Sequence, residues 1–118
     1  LHYGRDSLVG VAITLQHLAE FGGKLSEMKK ALPQYSIAKK KIDISGKSPD
    51  EVLQAMVEKY KNEKINTDDG LRIDFPDHWV HFRKSNTEPI IRVIAEATSY
   101  DVAVNLCEKY FAEITALL

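Results

Sequence analysis

The residues of this chain best suited to chemistry stand on one short loop. The run Arg83-Lys84-Ser85-Asn86-Thr87-Glu88-Pro89 lies between two apolar segments, and Ile90-Ile91-Arg92 follows it. A guanidinium offers a rigid fork of N–H donors that matches phosphate oxygens. Hydroxyls, a side-chain amide and the free backbone N–H groups of a tight loop add further donors for an anion. Two interpretations stay open at this point: an ordinary polar hairpin, and a phosphate clamp formed by Arg83, Ser85, Asn86, Thr87 and Arg92.

Other candidate chemistry along the chain is sparse. His78 and His81 are three residues apart on a predicted turn and strand, so their side chains should diverge, and no cysteine or acidic cluster accompanies them. Asp68-Asp69 with Asp74 lacks the dense oxygen spacing of a calcium loop and is typical of a turn. The sequence contains neither a glycine-rich phosphate loop nor a nucleophile elbow. We therefore expect no metal site in this chain.

Composition bounds the class of protein. At 118 residues the chain can bury one modest core. A net charge of −1 argues against a general nucleic-acid binder. The single Cys107 falls at an apolar helical position and predicts a reduced core thiol. With no stretch of ~20 apolar residues and no secretory signal pattern, we expect a cytoplasmic protein without membrane contact.

The N-terminal part predicts two helices. Apolar residues recur at helical spacing from Leu8 to Ala19, Asp6 or Ser7 can cap the start, and Gly22-Gly23 can end the helix. A shorter helix should stop at Pro33. This helical hairpin has too few residues to enclose a core alone. Because the chain starts at Leu1, without a methionine and directly before a helix, we expect it to be a piece of a longer protein.

The segment from Tyr35 to Ile44 predicts a strand with an interruption. Tyr35 and Ile37 point one way, Ile42 and Ile44 belong to the opposite phase, and Lys39-Lys40-Lys41 lies between them. This pattern indicates a linker that runs into a strand, or a bulge, with the lysines as a solvated hinge. We place the domain boundary here, with residues 1–34 on one side and 35–118 on the other.

The C-terminal part predicts a helix, several strands and a final helix. Ser48-Pro49-Asp50-Glu51 is typical of a capping box with proline at the first helical position. Alternating strands are predicted over Leu71–Phe75, Trp79–Arg83 and Ile90–Ala97, and Ser99 should cap the last helix. Strands joined by short turns imply a mainly antiparallel sheet with both helices on one face. The predicted fold class is therefore α+β, a two-layer sandwich.

The loop and its flanks resemble a known family. The run from Arg83 to Pro89 is similar to the Arg-x-Ser-(Asn or Gly)-Thr-x-Pro loop in the C-terminal domain of the α-D-phosphohexomutases, the phosphoglucomutases, phosphomannomutases and phosphoglucosamine mutases. Asp69-Gly70-Leu71-Arg72-Ile73 and the strand from Ile91 to Ala97 resemble the strands on either side. Gly4-Arg5-Asp6-Ser7 and Leu32-Pro33-Gln34-Tyr35 resemble the close of the family's third domain, so the resemblance covers nearly the whole chain.

The resemblance implies a domain organisation and an activity. Residues 1–34 would be the last helices of the sugar-binding third domain, and 35–118 the phosphate-binding C-terminal domain, a sheet backed by two helices like one half of the TATA-binding-protein fold. The whole enzyme would be an isomerase that moves phosphate between C1 and C6 of a hexose through a bisphosphate intermediate. The loop would hold the phosphate that is not being transferred. Glu88 should then turn away from that dianion, with Arg92 as one available partner.

The same resemblance implies parts that this sequence lacks. The family transfers phosphate through a phosphoserine in its first domain, beside a magnesium held by an Asp-x-Asp-x-Asp loop in its second, and neither pattern occurs here. Magnesium would thus be bound by an absent domain, the partners would be a hexose phosphate and the remaining domains, and the 118 residues alone would be inactive. Arg5 and His2 are compatible with a place in the cleft, and Arg5 equally with a salt bridge to Asp6.

The identity of the hexose stays open. Asn86, where the glucosamine-specific branch tends to carry glycine, leans weakly towards glucose or mannose phosphate. Two other classes of protein also remain: a stand-alone phosphosugar-binding module, and a non-catalytic interaction domain whose polar loop is incidental.

Overall fold

The structure of the protein, a computed structural model, describes residues 6–44 and 46–118. The chain divides into two compact units, Leu1–Gln34 and Tyr35–Leu118. Within the described residues, no helix is long and apolar enough to cross a membrane.

The first unit contains the two predicted helices, α1 (Ser7–Phe21) and α2 (Leu25–Ala31). Asp6 caps α1, because its carboxylate accepts a hydrogen bond from the Val9 N–H at 3.1 Å. Gly22 ends the helix in the left-handed conformation, with φ 69°, and its N–H donates to the Leu18 carbonyl. No residue of α1 is buried, in line with the expectation that this hairpin cannot enclose a core alone.

The second unit is one antiparallel sheet with two helices. The chain forms β1 (Ser36–Asp43), α3 (Pro49–Lys59), β2 (Lys64–Asn66), β3 (Leu71–Asp74), β4 (Trp79–Lys84), β5 (Ile90–Ala97) and α4 (Tyr100–Thr115). The strands lie in the order β1-β5-β4-β3-β2, and every neighbouring pair is antiparallel. Strand β1 pairs with the last strand, so β5 lies between β1 and β4, and β4 is the central strand of the sheet.

The core lies between one face of this sheet and the two helices. Alternate residues of the strands point inward and are fully or nearly fully buried, among them Ile42, Leu71, Ile73, Val80, Phe82, Ile91, Val93 and Ala95. Helix α4 packs on β1 and β5, and α3 contacts β3 and β4. The rings of Phe82 and Tyr110 meet edge to face at a centroid distance of 5.4 Å, which joins β4 to α4. The predicted two-layer α+β sandwich is confirmed.

The prediction of a hinge at Lys39-Lys40-Lys41 is wrong. β1 pairs with β5 without a bulge from Ser36 opposite Ala97 to Asp43 opposite Ile90, so the lysines lie inside the strand. Lys40 points to the core side, where its ammonium pairs with Glu108 at 2.5 Å and lies over the Phe111 ring. The aliphatic part of a lysine can cover apolar surface while its ammonium stays at the solvent boundary. The alternation of inward and outward residues in β1 therefore continues through Lys40.

Three smaller expectations have different outcomes. Ser48 and Pro49 occupy the predicted first positions of α3, but the Ser48 side chain makes no capping hydrogen bond within the described residues. Ser99 does cap α4, accepting from the Val102 N–H at 3.3 Å.

Strand β2 was not predicted, because three residues are too short to display a period. Cys107 is buried in the core as predicted, and burial raises the pKa of its thiol.

Candidate functional site

The loop between β4 and β5 is held at both of its ends. The Ser85 N–H donates to the Ile90 carbonyl at 3.0 Å and continues the hairpin pairing by one residue. The Ile90 N–H donates to the Glu88 carbonyl at 2.8 Å, and the Pro89 carbonyl accepts from the Ile44 N–H at 2.9 Å. This last contact ties the loop to the residue that follows β1. The loop therefore leaves the sheet at a defined place although its tip is exposed.

The tip presents donors that are not used by the described residues. Ser85 Oγ lies 3.5 Å from both the hydroxyl and the backbone N–H of Thr87, at the long limit of a hydrogen bond. The backbone N–H groups of Asn86 and Glu88 find no acceptor among the residues that the structure describes. Asn86 and Thr87 are exposed. The loop thus gathers hydroxyl, amide and backbone donors around one short turn, which is the arrangement that an anion needs.

The two predicted arginines lie side by side beside this loop. Arg83 on β4 is the register partner of Arg92 on β5, and both are exposed on the sheet face opposite the core, which we call the outer face. Lys41 on β1 is in turn the register partner of Arg92. Since register partners across antiparallel strands have Cβ atoms about 4.5–5.5 Å apart, three cations form one line. We call Lys41, Arg92 and Arg83 the basic row.

Lys41 was missed as a site residue. The lysine run was visible in the sequence. That Lys41 lies beside Arg92 follows only from the pairing of β1 with β5, two strands that are far apart in the sequence. Lys41 is exposed and has no ion-pair partner in the described part of the chain. The strand that carries it is therefore one wall of the candidate site.

Asp69 is the second residue that sequence reasoning missed. Its carboxylate Oδ2 lies 3.0 Å from Nε of Arg83. Its backbone carbonyl lies 2.6 Å from Nε2 of His81, so His81 and Arg83, two residues apart on β4, both hold the turn before β3. The sequence placed Asp69 in a turn and in a segment that resembles the family, but only the structure shows its contact with Arg83 on β4.

Gly70 explains how this turn comes so close to β4. Its φ is +78°, and a Cβ at this position would lie 2.1 Å from the Phe82 carbonyl oxygen. Only glycine fits both the left-handed conformation and the close approach. The Asp-Gly pair therefore places the Asp69 carboxylate at the Arg83 guanidinium.

A cleft of about 490 Å³ borders the loop on its other side. Helix α3, the turn before β3 and the end of β4 line it, with Asn86 at its edge. Lys84, whose ammonium pairs with Asp50 of α3 at 2.6 Å, lies in its wall with Arg83. Each of these two cations at the end of β4 thus has one carboxylate partner.

Glu88 does not pair with Arg92. It is exposed at the loop tip, and no ion pair joins the two within residues 6–44 and 46–118. The expectation that Glu88 turns away from a bound anion remains a prediction. Among the described residues, Arg92 therefore has no carboxylate partner.

The histidines diverge as predicted. His78 stacks on Phe75, and its Nδ1 lies 2.7 Å from the Asp77 carboxylate. This hydrogen bond is the main reason that the pKa of Asp77 is lowered. His81 lies on the other side, where its Nε2 contacts the Asp69 carbonyl. Among the described residues, no group of three or more histidine, cysteine or acidic side chains could hold a metal ion. The predictions for His2 and Arg5 lie outside the described residues.

Comparison with known proteins now identifies the domain. Residues 36–113 match the family described as phosphoglucomutase/phosphomannomutase, C-terminal domain. The chain belongs to this family. The match includes all the strands, both helices of the sandwich apart from the last residues of α4, and the whole loop, so the resemblance from the sequence is confirmed.

Similar proteins of the family carry related names. The chain is 37% identical over 110 residues to a phosphoglucosamine/phosphogalactosamine mutase of Sulfurisphaera tokodaii, covering 91% of this chain and 24% of that protein. It is 40% identical over 101 residues to a phosphoglucomutase/phosphomannomutase of Thermococcus kodakarensis, covering 85% of this chain and 22% of that protein. The chain therefore spans about a quarter of the length of these relatives.

A solved structure agrees with the fold. A crystal structure of a phosphoglucomutase/phosphomannomutase family protein from Burkholderia thailandensis superposes with a TM-score of 0.56 at 25% identity, over 77% of this chain and 19% of that one. The sandwich described above is thus a fold of the family.

Proposed function

We propose that this chain is the phosphate-holding end of a phosphohexomutase, an isomerase that moves a phosphoryl group between C1 and C6 of a hexose. The proposal rests on one observation above all: the Arg83–Arg92 pair stands in register at the base of a loop whose Asn86 and Glu88 N–H groups lack acceptors among the described residues. Like charges opposite each other on a sheet are unfavourable unless something neutralises them. Asp69 already pairs with Arg83, and a phosphate dianion would neutralise the charge that remains on Arg92.

Each site residue has a separate part in this proposal. Arg83 and Arg92 supply charge-assisted hydrogen bonds to the phosphate oxygens. Ser85, Asn86 and Thr87 donate from the loop tip, and the loop N–H groups complete the cradle. Lys41, at the far end of the basic row, adds attraction without being required for the hydrogen-bond geometry. The phosphate held in this way is the one that is not being transferred.

Holding a remote phosphate can accelerate chemistry elsewhere in the substrate. Binding energy from a non-reacting group can be used to orient the reacting one, and correct orientation removes entropy from the activation barrier. A bisphosphate intermediate that turns over in the cleft would offer each of its phosphates to this loop in succession. The loop would therefore contribute in both halves of the reaction.

The remaining chemistry belongs to parts of the protein outside these 118 residues. We propose that the nucleophilic serine and the magnesium that offsets charge on the moving phosphoryl group are supplied there, together with the sugar-selecting residues. Residues 1–34 would belong to the domain that carries the sugar-selecting segment. The whole protein would act in the cytoplasm.

A phosphate titration tests the binding role directly. In ¹H–¹⁵N spectra of the 118-residue chain, inorganic phosphate should shift the amides of Ser85, Asn86, Thr87 and Glu88 selectively, with a dissociation constant in the ~mM range that a few such bonds support. The amides of α4 are the internal control. Uniform shifts, or none at tens of millimolar, would exclude the loop as a phosphate site.

Kinetics test the enzymatic role. In the full-length protein, Arg83→Ala should weaken phosphate binding by ~10-fold or more, since one charge-assisted hydrogen bond contributes roughly 1.5–3 kcal/mol. The assay should compare glucose 1-phosphate, mannose 1-phosphate and glucosamine 1-phosphate. The 118 residues alone should convert none of them above background, and turnover by this piece would show that the site is not partial.

A further inference from the structure

We propose that Asp69 is a positioning residue that orients the Arg83 guanidinium for phosphate binding. The proposal deepens the phosphate-holding role proposed above and rests on it. It starts from the contact between Asp69 Oδ2 and Arg83 Nε at 3.0 Å.

The nitrogen that Asp69 engages decides what Arg83 can still do. A guanidinium is planar, and its five N–H bonds point along two edges and one end of the plane. Because the Asp69 carboxylate pairs with Arg83 at Nε, the edge formed by the two terminal nitrogens stays available for two oxygens of a phosphate. The contact also restrains a long side chain that would otherwise sample several rotamers, so less freedom is lost when phosphate binds.

The turn that carries Asp69 is anchored without its carboxylate. The Asp69 carbonyl lies 2.6 Å from His81 Nε2, and Gly70 packs directly against the Phe82 carbonyl. Both contacts involve the backbone of the turn. The side chain of Asp69, exposed at 63%, is not needed to fill the core. Removing the carboxylate should therefore free Arg83 while the turn stays in place.

Two roles for this carboxylate predict opposite signs. As a negative charge beside an anion site, Asp69 would weaken phosphate binding, and its removal would strengthen it. As a positioning residue, it contributes through the orientation of Arg83, and its removal would weaken phosphate binding although a negative charge is lost. Whether phosphate affinity rises or falls when the carboxylate is removed therefore decides between a competing counterion and a positioning residue.

The experiment compares Asp69→Ala with Asp69→Asn in the 118-residue chain, with inorganic phosphate as the probe. Asp69→Ala should weaken phosphate binding by ~3- to 10-fold, which is about the loss in affinity expected when one well-oriented hydrogen bond to phosphate is lost. Asp69→Asn keeps an oxygen that can accept from Nε and loses the charge, so it should bind phosphate as well as the wild type or better. The Arg83 Nε–Hε resonance should shift in Asp69→Ala and stay near its place in Asp69→Asn. Tighter binding by both variants, or no change in Asp69→Ala, would overturn the proposal.

A second arm tests whether Asp69 acts through Arg83. In the Arg83→Ala background, Asp69→Ala should no longer weaken phosphate binding, because the group it orients is gone. An equal loss in both backgrounds would assign the effect of Asp69 to the fold and overturn the positioning role. If Asp69→Ala lacks a folded spectrum, Asp69→Ser, whose hydroxyl is too short to keep the contact, takes its place with the same expectations.

Failure of the broader proposal would look different. If Arg83→Ala itself binds phosphate as tightly as the wild type, Arg83 is outside the site, and both the phosphate-holding role of this arginine and the positioning role of Asp69 fall. If Arg83→Ala weakens binding while Asp69→Ala does not, only the positioning role falls.

Discussion

Arg83 and Arg92 lie directly opposite each other on β4 and β5, and both are exposed on the outer face of the sheet. Within the described residues, Arg83 is paired with Asp69 while Arg92 has no acidic partner. A fold that keeps two like charges in register gives up some stability, which is a frequent feature of binding sites.

Removing Arg92 should therefore stabilise the domain and weaken the site. We expect Arg92→Ala to raise the free energy of unfolding by a few tenths of a kcal/mol, since like charges opposite each other are destabilising by about 0.2–1 kcal/mol. Added phosphate should then stabilise the wild type more than the variant. Denaturant unfolding with and without phosphate measures both effects.

Arg72→Ala is the matched control for Arg92→Ala. Arg72 lies on the same face, but its Nε pairs with Asp74 at 2.8 Å and its guanidinium lies over the Trp79 ring. Its removal should lower stability and leave the stabilisation by phosphate nearly unchanged. If both substitutions change the free energy of unfolding and the stabilisation by phosphate in the same way, the repulsion between Arg83 and Arg92 makes no measurable contribution.

Gly70→Ala should be strongly destabilising. The new Cβ would lie 2.1 Å from the Phe82 carbonyl, a backbone atom in the central part of the sheet that cannot move aside, and φ at +78° adds strain. We expect a loss of ~3 kcal/mol or more. Gly46→Ala is the matched control, because Gly46 also has positive φ but meets nothing within 4 Å, so it should cost only ~1–2 kcal/mol. Equal losses at the two positions would mean that the turn moves away from β4 freely.

The buried hydroxyl of Tyr110 should be dispensable. It makes no hydrogen bond of ordinary geometry among the described residues, although the Tyr60 hydroxyl is its polar neighbour, and burial raises the pKa of Tyr110 to about 12. Tyr110→Phe keeps the ring against Phe82 and should be neutral or stabilise the domain by up to ~1 kcal/mol. In Tyr60→Phe, by contrast, a hydrogen bond to Glu113 at 2.7 Å is lost, and stability should fall by ~1 kcal/mol. Thermal and denaturant unfolding of the pair checks the contrast, and a clear loss in Tyr110→Phe would reveal a partner for its hydroxyl.

Glu113 should make the domain acid-sensitive. Burial alone would raise the pKa of Glu113, but hydrogen bonds from Lys59 and Tyr60 outweigh it and hold the pKa below its ordinary value of 4.5. Since the folded pKa is lowered, the stabilisation is complete above the unfolded pKa and is lost as the pH falls through the folded one. Unfolding measured between about pH 6 and pH 3 should therefore show a shallower acid decline in Glu113→Gln than in the wild type.

Glu88→Gln is the control for this acid dependence, because Glu88 is exposed and makes no ion pair within the described part of the chain. Its unfolding should follow the wild-type pH profile. A shallower decline in Glu88→Gln than in Glu113→Gln would remove Glu113 as the acid-sensitive group.

Most elements of the domain could be predicted because their signals are local. The alternation from Ile90 to Ala97 and the capping serine before α4 depend on residues close together in the chain, and both appear where expected. The same holds for Gly22 at the end of α1. The types and spacing of the residues from Arg83 to Thr87 indicated a candidate anion site, which the resemblance to the family favoured, and its phosphate-binding role stays a prediction.

The tertiary structure decided which distant residues join them. Lys41 enters the basic row only because β1 pairs with β5, and Asp69 reaches Arg83 only because Gly70 lets the turn approach the Phe82 carbonyl. The hinge at the lysines was inferred wrongly for the same reason, since only the pairing with β5 shows that the strand continues through them and that Lys40 faces Glu108 and Phe111 on α4. Periodicity reports which face of an element a residue lies on, whereas register and close backbone approach are set by packing between segments that are far apart in sequence.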